Sequence, residues 1–334
     1  MISAGWRSEV LEYSIKVKNL VKNYGDVKAL DDVSFDVRKG EIFGLLGPNG
    51  AGKTTTIKVL TTLTEQTSGT AFVGGVDVLK NPTKVKSKIG WISADIILDE
   101  DLTAMENLHL QARLQNTKDW RKKAETLLKT FGILDAANKR IGKFSTGMRK
   151  KVEIAMSLIS DPEIIFMDEP TIGLDVATRQ MLWDLIRDVN KNHGKTILLT
   201  THYMEEADSL ADRIAIIDKG KIVAIGTPSE LKNKVGGTVI DMEVSAEFDK
   251  KSVEKMKNVK KVDIKNNHVM ITLHNENDAV EILRRIDLKK VTSFKLIKPS
   301  LDAAFIKLTG SSINQDNDTD YRKLYSIIRN NTRG

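Results

Sequence analysis

The sequence contains no cysteine. Disulfides, iron–sulfur clusters and thiol chemistry are thereby excluded, and the composition fits a reducing compartment. Aromatics make up only 5% of residues, and the lysines are scattered rather than gathered beside them, so no direct nucleic-acid contact is expected. Long apolar runs are also missing. The longest span only a few residues, such as IIFM at 164–167, against the roughly eighteen needed to cross a bilayer. The opening MISAGWRSEV has no apolar stretch of the kind a secretory signal carries. A membrane role is therefore expected only through a separate partner. What is present is a 334-residue chain with a formal charge of +7, long enough for one large domain and a smaller one.

The pattern along the chain predicts an α/β core with an all-helical insertion. Alternation over 14–38, broken by Tyr24-Gly25-Asp26 and bounded by Lys39-Gly40-Glu41, reads as strands, and IFGLLG (42–47) reads as a buried strand. Residues 53–63 read as a helix and 70–79 as a strand pair around Gly74-Gly75. Helical periodicity dominates 103–160, opened by a capping box of Thr103 and Glu106. Strands at 164–168, 196–200 and 214–226 then alternate with helices at 176–192 and 204–210. After Lys234 the composition shifts. Residues 237–311 read as a small βαββαβ domain closed by a short helix in SLDAAFIKLTG, and 312–334 as a polar tail whose YRKLYSIIRN has weak amphipathic spacing.

Four stretches carry chemistry. The run GPNGAGKT fits G-x4-G-K-T and stands between a predicted strand and a predicted helix, the context such a loop requires. The N–H groups of Gly47, Asn49, Gly50, Ala51 and Gly52, in a loop turned at Pro48, can curl around a phosphate at the helix start that continues into Thr55. Lys53 can reach the β- and γ-phosphates, and the Thr54 hydroxyl can bind Mg²⁺. In IIFMDEP a strand delivers Asp168 as a second Mg²⁺ group, while Glu169 is turned differently and can deprotonate an attacking water. His202, past the strand TILLT, is a candidate contact to the γ-phosphate or that water. Ser145, Thr146 and Gly147 at the mouth of a helix form a second anion cradle. A second cradle makes sense if it closes over the nucleotide of another copy, so that ATP joins two copies and hydrolysis releases them.

The series GPNGAGKTT, FSTGMRKKVEIA, IIFMDEPTIGLD and THYMEEAD, in this order and spacing, resembles the nucleotide-binding domain of ABC ATPases over about residues 14–233, with a helical subdomain at about 95–160 after an N-terminal extension of 1–13. The resemblance implies ATP and Mg²⁺ as ligands, Tyr24 as the aromatic that stacks on adenine, and Asp175 as the aspartate that speaks across a homodimer interface. LDEDLTAMENL (98–108) and SLDAAFIKLTG are similar to the daunorubicin-type drug-resistance exporter branch. In that branch the ATPase is a separate polypeptide, peripheral on the cytoplasmic face, under a polytopic permease of ABC-2 type. Other members of the superfamily are soluble regulatory or nucleic-acid-associated ATPases; the single cassette and the lack of sustained heptads between Lys53 and Ser145 set this chain apart from several of them.

Two departures stand out. The signature reads Phe144-Ser145-Thr146-Gly147-Met148 where the usual form is LSGGQ; the serine and second glycine are kept. In GWISADIILDE, Ala94 stands where the family places a glutamine that joins Mg²⁺ and water to the permease cleft. Alanine cannot coordinate, and the neighbouring Asp95 points the other way on an extended segment. Slower hydrolysis, or coupling that bypasses this side chain, is expected.

Overall fold

The computed structural model describes residues 13–94, 97–234, 238–245, 248–265, 267–273 and 278–310; Asp95 and the tail from 312 lie outside the described residues. The chain divides into two compact units, one ending at Thr227 and one beginning at Pro228.

The first unit holds two sheets. Strands β1 (Tyr13–Tyr24) and β2 (Val27–Arg38) pair antiparallel, and β1 also pairs with β4 (Ser68–Val73), which turns into β5 (Val76–Asp77). The larger sheet has six strands. In spatial order they are β10 (Lys221–Gly226), β9 (Arg213–Asp218), β3 (Ile42–Leu46), β8 (Thr196–Thr201), β7 (Ile164–Asp168) and β6 (Ile89–Ile92). All its neighbours run parallel except β9 and β10. Its central strands IFGLL, IIFMD and TILLTT are buried at every position, as parallel strands covered on both faces must be.

The alternation within β7 decides where its carboxylate points. Ile165 and Met167 enter one core with helices α3 (Ala104–Leu114), α4 (Trp120–Thr130), α5 (Thr146–Leu158) and α6 (Val176–His193). Ile164 and Phe166 enter the other core, which they share with the antiparallel sheet and with Ile57, Val59 and Leu60 of α1 (Lys53–Leu60). With a side-chain period of two, Asp168 falls on the α1 face.

Helix α1 stops at Leu60, short of the expected Leu63, because Thr62 takes a left-handed φ of +62° and Leu63 N turns back to Lys58 O. The capping box at Thr103 is present: Glu106 N donates to Thr103 Oγ1 and Thr103 N to Glu106 Oε2.

In the second unit, strands β11 (Val239–Val244), β12 (Val259–Lys265), β13 (His268–Leu273) and β14 (Val291–Ile297) form one antiparallel sheet in the order β12-β13-β11-β14. With α9 (Lys250–Glu254) and α10 (Ala279–Arg285) interleaved, this is the βαββαβ arrangement. Ile240, Met242, Val262, Val269 and Ile271 form its core with Val253 and Ile282 from those helices. Helix α8 (Pro228–Asn233) packs on α11 (Leu301–Thr309), where Lys307 Nζ donates to Lys234 O.

Candidate functional site

Parallel strands β3, β8 and β7 end in register, with Leu46 opposite Thr201 and Thr200 opposite Asp168. Loops leaving the carboxyl ends of such strands converge on one crevice. Here they are the Gly47–Gly52 turn, the Glu169 turn and the His202 turn.

The first loop leads straight into α1. Gly52, its N-cap, has φ +105°, and a Cβ there would lie 2.7 Å from Ala29 O, so a side chain is excluded twice over. Ala51 is buried and its N–H donates to Pro48 O. Lys53, only 4% exposed, bends its amine over the loop and donates to Gly47 O at 2.8 Å and Pro48 O at 3.1 Å. The same amine lies 3.0 Å from Glu169 Oε1.

Asp168 accepts from Thr200 Oγ1 at 2.6 Å and from Thr54 Oγ1 at 3.3 Å, so the facing strand and the start of α1 hold one carboxylate between them. Two hard oxygen ligands beside a phosphate loop are what Mg²⁺ takes from protein when substrate phosphates and water complete its shell. Among the described residues no group of three or more acidic or histidine side chains is arranged to hold a metal ion by itself. The residues fit a nucleotide-borne Mg²⁺ rather than a fully protein-held ion.

Glu169 has φ +48°, a left-handed backbone in a non-glycine residue. That conformation costs about 1 kcal/mol and is held by the Glu169 N–H, which donates to Thr200 O and Thr200 Oγ1. The twist sends the Glu169 carboxylate away from Asp168, one oxygen to Lys53 and the other to His202 Nδ1 at 2.8 Å. His202 in turn packs against the ring of Tyr203, with centroids 4.1 Å apart. Lys53, Glu169 and His202 are thus brought together.

The cradle at Ser145 is separate. Ser145 is the N-cap of α5, its Oγ accepting from Met148 N at 3.3 Å. Gly147 sits so close to α6 that a Cβ would meet Thr178 Cγ2 at 3.2 Å and Met181 Cε at 3.4 Å. Asp175 caps α6 by accepting from Thr178 N and Thr178 Oγ1, and the Thr178 hydroxyl, more than its amide, holds the carboxyl below its usual range. Among the described residues no hydrogen bond joins 145–147 to the 47–54 loop. Tyr24 is half exposed, with Lys22 Nζ 4.7 Å from its ring centroid. Ala94 follows β6 in a bend.

Sequence reasoning missed Thr200 and Glu206. Glu206, on helix α7 (Met204–Leu210) just past His202, is fully buried and accepts from Thr171 Oγ1 at 2.7 Å and Trp183 Nε1 at 3.1 Å. Burial pushes its carboxyl above the usual range, against the pull of those donors. It ties the helix after His202 to Thr171, at the start of the turn leading to Asp175. Nothing in THYMEEAD distinguishes this glutamate from the exposed Glu205 beside it except helical phase.

A family model described as "ABC transporter" matches residues 30–172, and one described as "ATP-binding protein DrrA1-3-like, C-terminal domain" matches 226–309. The daunorubicin/doxorubicin resistance ATP-binding protein DrrA of Streptomyces peucetius is 37% identical over 315 residues, spanning 89% of this chain and 92% of the relative. The chain belongs to the ABC transporter ATP-binding proteins. Linearmycin resistance ATP-binding protein LnrL of Bacillus subtilis is 35% identical over 309 residues, spanning 90% of this chain and 99% of that one. Among solved structures, an ATP-binding subunit of an ABC transporter superposes with a TM-score of 0.60 at 31% identity, covering 66% of this chain and 92% of its own. The ATP-binding cassette MJ0796, a dimer in its post-hydrolysis state bound to ADP and phosphate, superposes with a TM-score of 0.57 at 28% identity, covering 64% and 98%. As a member of this family the chain binds and hydrolyses ATP, on an α/β P-loop core with a helical subdomain and a smaller α+β domain.

Proposed function

We propose that this chain is the ATPase subunit of an exporter, acting as a homodimer beneath a separate polytopic permease of ABC-2 type on the cytoplasmic face of the membrane. The observation that carries hydrolysis is the Glu169 carboxylate held between Lys53 and His202 at the end of β7. A carboxylate so placed accepts the proton of the attacking water, and His202 fixes its orientation and reaches toward the γ-phosphate. Lys53 exchanges its contacts with Gly47 O, Pro48 O and Glu169 for β- and γ-phosphate oxygens. Thr54 and Asp168 hold Mg²⁺, which neutralises charge on the phosphates when bound. Tyr24 offers its ring to the adenine.

Ser145, Thr146 and Gly147 have no bond to their own phosphate loop, which supports their serving the nucleotide of a second copy, with Asp175 at the same edge. The dimeric solved relative and the drug-resistance names of the sequence relatives support both the dimer and export. No helix among the described residues is long and apolar enough to cross a membrane. The seat of the permease is a groove of about 290 Å³ lined by Trp91, Ile97, Gln111, Gln115, Glu153 and Met156, between β6 and the helical subdomain.

The Glu169→Gln variant tests this reading. It is expected to form a dimer in saturating ATP and Mg²⁺, seen by sedimentation velocity, and to hydrolyse about 10²–10⁴-fold more slowly than the parent. A variant that stays monomeric in ATP contradicts the shared site.

A further inference from the structure

Strand β14 is the outer strand of the sheet in the second unit and, among the described residues, pairs with β11 alone. Met242 and Ile240 of β11 are buried in the core with Val253 and Ile282 from α9 and α10. Their cross-strand partners, Phe294 and Leu296, are 55% and 36% exposed. Residues opposite each other on a ladder share one face of the sheet. Phe294 and Leu296 therefore point to the helix-covered side, yet the core stops short of them.

The strand is also basic. LKKVTSFKLIK (288–298) carries four lysines and no acid, and Lys289 and Lys290 are exposed. Lysines along an edge oppose its pairing with the same edge of a second copy, because like charges would face each other. An occupant of this face needs acidic and apolar parts side by side, and the chain supplies one. Past Gly310, the C-cap of α11, the sequence reads SSINQDNDTDYRKLYSIIRN. Residues 311–320 hold Asp316, Asp318 and Asp320 and no basic residue. The next ten place Tyr321, Leu324, Tyr325 and Ile328 at i, i+3, i+4 and i+7, the spacing of one helical stripe.

We propose that residues 311–328 fold back on their own second unit, with the aspartates on the lysines that flank Phe294 and the apolar stripe over Phe294 and Leu296. The segment completes the layer that α9 and α10 begin and shields the edge of β14 from other strands. Reach permits this. Leu324 stands fourteen residues past Gly310, enough for about 46 Å of extended chain. Seven residues separate Phe294 from Leu301, and α11 has nine, so Gly310 lies no more than roughly 40 Å from Phe294 along any path.

The absence of cysteine makes the test clean. Thr292→Cys with Ser326→Cys places two thiols beside the contact in the full-length, nucleotide-free chain, which is treated with a short bismaleimide. The expected product is a loop closed within one chain, seen as a faster-migrating monomer on a denaturing gel. Adding Ile328→Asn, which alters only the tail, is expected to slow loop closure by about tenfold or more, the scale of losing a buried aliphatic side chain. Phe294→Asn should do the same, with melting temperature checking the fold. Asp316→Asn, Asp318→Asn and Asp320→Asn together are expected to slow it by about threefold, as for exposed ion pairs. Cross-links formed only between chains would give the face to a second copy and overturn the fold-back. Loop closure as fast in Ile328→Asn and Phe294→Asn as in the parent would overturn it too, since the tail then passes the strand without docking.

Discussion

Glu169 Oε2 lies 2.8 Å from His202 Nδ1, although the two residues sit on different loops and 33 positions apart in sequence. The contact exists because Glu169 adopts a left-handed backbone and β7 and β8 end side by side. Its removal is the sharpest local perturbation of the hydrolytic arrangement. His202→Ala is expected to lower kcat by about a hundredfold or more, the scale of losing a preorganised polar contact in a reacting site, while KM for ATP shifts only a few-fold. Near-normal turnover by the variant would remove His202 from the chemistry.

Thr200 supports both acidic residues at once, donating to Asp168 Oδ1 at 2.6 Å and accepting from the Glu169 N–H. Thr200→Val keeps the shape and removes the hydroxyl. Groups that orient a metal ligand are worth about 10–100-fold in metal affinity, so the Mg²⁺ concentration for half-maximal hydrolysis is expected to rise by that factor. Chelating all Mg²⁺ is expected to stop hydrolysis in both proteins. An unchanged Mg²⁺ titration would show that Asp168 needs no such support.

Glu206 gives a pH dependence of known sign. Burial raises its folded-state value above the ordinary 4.5. The stability it contributes is therefore full below that pH and is lost as the pH climbs through the raised value. Glu206→Gln cannot titrate. The melting temperature of the parent relative to this variant is expected to fall as the pH is raised above the ordinary 4.5. A difference that stays flat as the pH rises contradicts a buried, proton-holding Glu206.

The parts of the site legible in the sequence were those imposed by local backbone demands. Gly52 needs a positive φ and an open approach to Ala29, a phosphate loop must be followed by a helix, and a strand of apolar residues ending in Asp168 shows its own direction. The succession of strands and helices along the second unit was legible too, whereas their order in the sheet was not. The illegible parts were buried polar contacts between distant segments. Nothing in TILLTT marks Thr200 as the partner of Asp168, and nothing in RKKVE separates the buried Lys150 from the partly exposed Lys151 until the phase of α5 against the groove is known. The last turn of α1 failed for a related reason: Thr61 to Thr64 carry no glycine or proline to announce the left-handed Thr62.

The central claim, that this ATPase drives a separate membrane protein, is tested most directly by purifying the tagged chain from gently solubilised native membranes. Mass identification of whatever accompanies it in stoichiometric amount then decides the matter. The account predicts a polytopic permease, retained through the groove at Trp91 and Glu153. Recovery of the chain in the soluble fraction, alone or with a soluble partner, would contradict it.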